Sequence, residues 1–210
     1  MHRGPRTATA CVLVLLFVTF FVDGAARVQP DSLLLADFDA DTIQIKPGLP
    51  LWLFTDEQFG GSSEVVASLQ RPGTGGSRGA LRLSFRLVQD FANPFAGAWA
   101  YVGPEGLATD LSAWRGLRFH ARSAHATAFS AGVIRFGGMV RRYGTPFETK
   151  PEWTLVELPF DRFQELGPGG APAAKPEPLS TKDITAVGFS VVPKLVGEFV
   201  MDIDRLEFYR

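Results

Sequence analysis

Three groups of residues in this 210-residue chain have types and spacings that could do chemistry. The first is acidic. Asp37, Asp39 and Asp41 alternate in DFDADT, and Asp202 and Asp204 alternate in MDIDRLEF. An EF-hand needs glycine at the sixth position of such a loop and glutamate at the twelfth. Thr42 and Gly48 stand there, which excludes that motif. Residues two apart on a strand share a face. Asp37 and Asp39 could therefore join Asp202 or Asp204 around a structural calcium, if the first and last strands pair. The other outcome is solvated carboxylates at strand ends.

The second group is FTDEQFGGSSE, Phe54 to Glu64. A P-loop needs a lysine after its second glycine and a helix beyond. Here serines follow, then EVVASLQ, which alternates like a strand. The phosphate reading fails, and Gly60 and Gly61 are expected to turn the chain into that strand. The third group is AGAWAYVG, with Trp99 and Tyr101 opposite Ala98, Ala100 and Val102. A flat ring fits the C–H side of a pyranose, so Trp99 and Tyr101, with Trp52, form a candidate glycan platform. The alternative buries the rings in a core, where large aromatics dominate. Trp114 and Trp153 carry the same two readings.

Patterns for catalysis are missing. The one G-x-S-x-G match, GGSRG (Gly75 to Gly79), leads into the alternating run ALRLSFRL and not into a helix, so it is no nucleophile elbow. H-E-x-x-H does not occur, and His120 and His125 stand near no nucleophile pattern. A carboxylate pair for glycoside hydrolysis would be distant in sequence, and nothing singles one out. We expect no enzyme. The arginines of alternating runs (Arg82, Arg86, Arg118 and Arg122, with Arg135, Arg141 and Arg142) are expected on solvated strand exteriors, or against an acidic partner.

The elements that must position these residues are strands. In ALRLSFRL, Leu81, Leu83, Phe85 and Leu87 oppose Arg82, Ser84 and Arg86; RGLRFHAR, TAVGFSVV and GEFVMDI repeat the pattern. SLLLADF, EVVASLQ, GAWAYVG, FSAGVIRF and WTLVELPF are further strand candidates, separated by turns such as RPGTGGSRG and KPG. Period two with one wet face marks antiparallel strands covering a core. With 18 phenylalanines to fill it, the expected fold is an all-β, two-sheet antiparallel sandwich. ELGPGGAPAAKPEP, residues 165–178, is expected as a long exposed loop.

The N-terminus has a different character. Arg3 and Arg6 precede an apolar run, Cys11 to Val22, and small residues Gly24 to Ala26 follow. This pattern fits a secretory signal cleaved near Ala26, leaving residues 27–210 as a single domain. The run falls short of the roughly 20 apolar residues of a membrane span, and an uncleaved anchor is the alternative. The one cysteine, Cys11, lies inside the run, so the mature domain has no disulfide and no thiolate site. From the net charge of −1, loss of Arg3, Arg6 and Asp23 leaves −2. That balance gives no case for nucleic acid, and no membrane contact is expected beyond the signal segment. The expected location is secreted or periplasmic.

Taken in order, several stretches resemble one family. WLFTDEQFGGSSE, DLSAWRGLRFHARS, FETKPEWTLVELPFDRF, ITAVGFSVV and GEFVMDIDRLEFY are similar to successive signatures of the complex I intermediate-associated protein 30 family. Phe147, Thr149, Trp153, Pro159, Phe160 and Phe163 carry the strongest likeness. The resemblance runs from about Asp37 to Tyr209 and is loose from Ala128 to Gly144. It implies a galactose-binding-like jelly roll, similar to family 11 carbohydrate-binding modules, in which Asp56 and Gly60–Ser63 form a structural turn. Mitochondrial members act as assembly chaperones for respiratory complex I and are not known for catalysis. The resemblance thus implies a protein partner or a chaperone role, with a glycan as the alternative ligand. An export signal is a departure from that setting.

Overall fold

A computed structural model describes residues 30–40, 42–45 and 49–210 of the protein. The expected signal segment with Cys11, Asp41 and the KPG turn lie outside the described residues. The alternating runs form strands. In chain order these are β1 (Ser32–Ala36), β2 (Gln44–Ile45), β3 (Leu49–Pro50), β4 (Trp52–Thr55) and β5 (Glu64–Gln70). Next come β6 (Ala80–Leu87), β7 (Ala96–Tyr101), β8 (Gly116–Arg122), β9 (Phe129–Phe136) and β10 (Val140–Phe147). The last are β11 (Thr154–Pro159), β12 (Gln164–Leu166), β13 (Ile184–Val191) and β14 (Gly197–Tyr209).

Two six-stranded antiparallel sheets face each other as a jelly-roll sandwich. One runs β11-β8-β14-β6-β5, with β1 on the far half of β14; the other runs β12-β10-β9-β13-β7-β4. A bulge with Arg205 at φ +51° lets the 13-residue β14 pair β6 with its first half and β1 with its second. The inner faces hold the apolar half of each alternation. Phe119 sits between Phe147 (centroids 5.2 Å) and Phe189 (5.0 Å), both edge-on to it.

One open alternative is decided at this level and one expectation changes. Ala96, Ala98 and Ala100 fill the core, while Trp99 and Tyr101 point outward. β7 packs there against β6 and β5, whose Leu81, Leu83 and Phe85 already fill the space, so small residues fit inside. The Pro/Gly-rich loop is also not wholly loop. It opens with β12, where Glu165 pairs with Tyr143 and its buried carboxylate meets Arg141 at 2.6 Å. That ion pair outweighs the poor strand propensity of the segment.

Gly60 and Gly61 do form a turn, built around Asp56. The buried Asp56 carboxylate accepts from the Ser63 amide (2.9 Å), the Ser63 hydroxyl (2.7 Å) and the Phe95 amide (3.2 Å). A Cβ on Gly61 would lie 2.4 Å from that carboxylate, so only glycine lets the chain wrap it.

Candidate functional site

The outward face of the β12–β4 sheet gathers the three aromatic candidates. Trp52 pairs with Trp99 across β4 and β7. The same cross-strand row continues through Gly188, Gly132 and Gly144 to Gln164 at the far edge. Trp99 covers this glycine floor. A Cβ on Gly132 would meet the indole at 2.7 Å and one on Gly188 would meet it at 2.4 Å. Glycine inside a strand leaves room for close approach, and here the ring takes that room.

Beside this row lie two others. Tyr101, Ala186, Ile134, Arg142 and Leu166 form one; Phe54, Gly97, Ser190, Ser130 and Pro146 form the other. Arg142 is the only charged side chain in the three rows. Phe54 stacks beside Trp99 (5.8 Å, 20° between planes) and continues through Phe95 (6.2 Å) to Phe59 (6.0 Å from Phe95). The result is a track of rings from mid-sheet to the loop after β4. Trp52 is 52% exposed, Tyr101 36% and Phe59 62%. Phe54, Phe59, Phe95 and the glycine floor were missed from the sequence. The glycines inside FSAGVIRF, VRRYGTPF and TAVGFSVV were the available signal.

Trp114 and Trp153 stand elsewhere, carrying Arg210 (4.8 Å) and Arg122 (4.6 Å) on their rings. Both are half-buried, and neither joins the platform.

The acidic candidates divide. β1 does pair with β14, as the cation hypothesis required. Asp37 and Asp39 nevertheless lie beyond the end of β1, in the following loop. Asp37 accepts from the Asp39 amide (3.3 Å). Asp39 accepts from the Ser77 hydroxyl (2.9 Å) and the Arg78 amide (2.6 Å), and these bonds hold its pKa below the usual value. Asp204 is buried and accepts from the Thr74 amide (2.8 Å) and the Arg205 amide (2.7 Å). Burial pushes its pKa up, and the nearby Asp39 charge adds to the rise. Asp202 is not part of this group: Arg82 (2.7 Å) and Arg122 (2.9 Å) both clamp it. Among the described residues, no group of three or more His, Cys, Asp or Glu side chains is placed to hold a metal ion.

These arginines belong to the outward face of the other sheet, where each is paired. Arg86 meets Glu64, and Arg118 meets Glu207 (2.7 Å) and Glu157 (3.4 Å). On β10, Arg141 bridges Glu165 and Glu177. His120 lies among these charges, with its Nδ1 buried and unpartnered; burial lowers its pKa.

Solved structures share this architecture. The family 11 carbohydrate-binding module of the cellulosomal cellulase Lic26A-Cel5E of Clostridium thermocellum aligns with a TM-score of 0.63 at 17% identity, covering 85% of this chain and 94% of that one. The family 11 module from the same organism in complex with a β-1,3-1,4-mixed-linked tetrasaccharide gives 0.59, 17%, 85% and 95%. The family 30 module of its cellulase Cel9D-Cel44B gives 0.58, 13%, 84% and 96%. No curated protein sequence matches the chain. The fold is therefore that of the jelly-roll binding modules, with an aromatic sheet face laid open. The model of the Complex I intermediate-associated protein 30 family matches residues 44–203, and the chain belongs to that family.

Proposed function

We propose that the protein is an exported, non-catalytic binding module that docks the apolar surface of a partner protein on the outward face of the β12–β4 sheet. The observation that carries this reading is the breadth of the ring track. Trp52, Trp99, Phe54, Phe95 and Phe59 extend well beyond one sugar ring, with a single charge in the rows beside them. Broad apolar patches rimmed by polar groups mark protein contacts, and Trp and Tyr dominate the energy of such contacts. Membership of a family described as complex I intermediate-associated supports an assembly or chaperone role.

One observation favours a glycan instead. Trp99 lies on a glycine floor next to Ser130, Ser190, Gln164 and Arg142, which could hydrogen-bond hydroxyls beside a stacked pyranose. One experiment separates the readings. The protein and its Trp52→Ala, Trp99→Ala and Tyr101→Ala variants are run through native gels containing soluble β-glucan, mannan or acidic polysaccharide. A photoreactive residue at position 101 is used in parallel to capture partners in the producing cell. Capture at position 101 that Trp52→Ala abolishes, without retardation in any gel, supports the protein partner. Retardation lost in the variants overturns it in favour of the glycan.

A structural calcium remains a separate proposal, now resting on Asp39 and Asp204, whose carboxylates both take hydrogen bonds from the 74–79 turn. Calcium takes oxygen ligands of this kind. A melting temperature that rises with calcium and falls again with chelator supports it; identical melting in both rules it out.

A further inference from the structure

One pole of the sandwich is apolar in a different way from the sheet face. Leu107 (62% exposed), Phe136 (52%), Met139 (64%) and Val140 (61%) stand there in solvent. Phe136 and Val140 pair at the end of the β9–β10 hairpin, and Gly137, Gly138 and Met139 form its tip. Gly138, at φ +81°, permits the tight turn. Thr109 and Arg135 both pair with Ile184, which sets the loop carrying Leu107 on one side of β13 and the hairpin on the other.

Around this tip lie three arginines, Arg142 on the face of Phe136 and Val140, with Arg135 and Arg141 on the opposite one. Arg135 approaches Asp183 (3.7 Å), Arg141 holds Glu165 and Glu177, and the exposed Arg142 has no ion-pair partner among the described residues. Lys182 and Arg115 are exposed at the same end, together with Asp31 and Asp110. The rim is therefore charged in both senses, and the apolar tip is its leading feature.

The chain also enters the domain at this pole. Ser32 pairs with Tyr209, the Arg115 amide donates to Tyr209, and the Leu111 amide donates to Thr181, three residues before Ile184. In the sequence, the apolar run ending at Val22 precedes Pro30 by eight residues. That length reaches at most about 28 Å when extended. A run held in a bilayer would bring this pole, rather than the opposite one, to the lipid.

We propose that this pole rests on a lipid surface, with Phe136, Met139, Val140 and Leu107 in the interface and the arginines at headgroup level. Apolar side chains backed by long cationic ones fit that boundary because the ring or thioether enters the acyl region while the guanidinium stays wet. No helix among the described residues is long and apolar enough to cross a membrane, so the contact would be interfacial. The site adjoins the aromatic sheet face, one row beyond Ile134 and Arg142, and takes a different ligand.

The test uses the full chain, in whichever form an exporting host yields. Cys11→Ser removes the only cysteine. Met139→Cys at the tip, or Val196→Cys in the β13–β14 turn at the opposite pole, is then labelled with an environment-sensitive fluorophore. Phosphatidylcholine vesicles, with and without phosphatidylglycerol, are the probe. A blue shift at position 139, quenched by brominated lipid and absent at position 196, is the expected result. Phe136→Asp combined with Met139→Asp should reduce co-sedimentation of the released form on the order of tenfold, while capture or retardation through the aromatic face is retained. No shift at position 139, or equal shifts at both positions, overturns the proposal, and the tip then becomes a candidate protein contact.

Discussion

The same period-two alternation builds both outward faces of the sandwich, and the two faces are opposites. On the β11–β5 sheet three of the outward rows read Glu64–Arg86–Glu198, Ser68–Arg82–Asp202–Arg122 and Glu207–Arg118–Glu157, with Val66, Val200 and Leu155 exposed between them. Every arginine in these rows has a carboxylate. On the β12–β4 sheet the rows are rings, glycines and serines. A paired charge ladder keeps its sheet soluble and offers a partner little, because each group has already spent its strongest bonds. An aromatic, nearly uncharged face is poorly satisfied by water and gains by being covered. The contrast supports the proposal that the second sheet is the working surface.

The comparison can be broken or sharpened by mutation. The largest effect should come from Asp202→Ala. It leaves Arg82 and Arg122 facing each other without the buried carboxylate between them. Urea denaturation should show a loss of about 2–3 kcal/mol, reduced by partial exposure of both arginines, and ligand capture by the refolded protein should be unchanged. Loss of capture would mean that the charged sheet also binds. Next is Gly132→Ala. The new methyl would lift Trp99 from its floor, with a stability loss of about 1–2 kcal/mol and weaker binding. A crystal structure with Trp99 unmoved would refute the floor.

Trp52→Ala should separate the two quantities. Stability should change by less than about 0.5 kcal/mol, because the side chain is half exposed, whereas affinity for the captured ligand should fall roughly tenfold or more. The smallest effect is in pH. His120 has a lowered pKa in the fold, so the unfolded chain binds its proton first. Stability should therefore fall as pH drops through the ordinary histidine value of 6.5 toward the lower folded value. Asp204, with a raised pKa, works in the opposite sense: the folded form takes its proton first and gains stability on further acidification. Thermal melts of His120→Gln against the parent should show a shallower decline just below pH 6.5. Equal slopes would assign the decline to other groups.

The fold was legible in the sequence because alternation determines which side chains share a face, and the strands of ALRLSFRL, RGLRFHAR and GEFVMDI form as expected. Which face turns inward was not legible for GAWAYVG, since both halves of its alternation are apolar. Only the packing of β7 against β5 and β6 of the other sheet decides it. Trp52, Trp99 and Tyr101 were found as a group because aromatic rings on a strand are conspicuous. Their floor was not, because it depends on the register of β7, β13, β9 and β10, which sequence spacing does not determine. The Asp56–Ser63 turn was expected from the family resemblance, but its Phe95 partner, 39 residues away, was not.

One consequence of strand order concerns the time course of synthesis. β14 lies between β6 and β8 and also carries β1, yet it is the last strand along the chain. Until Tyr209 has left the ribosome, the charged sheet lacks its middle member, and β1, β6 and β8 have no shared neighbour to pair with. Contacts this distant in sequence form late. For the exported form proposed above, the charged sheet would close only once β14 has followed the strands it joins across the membrane.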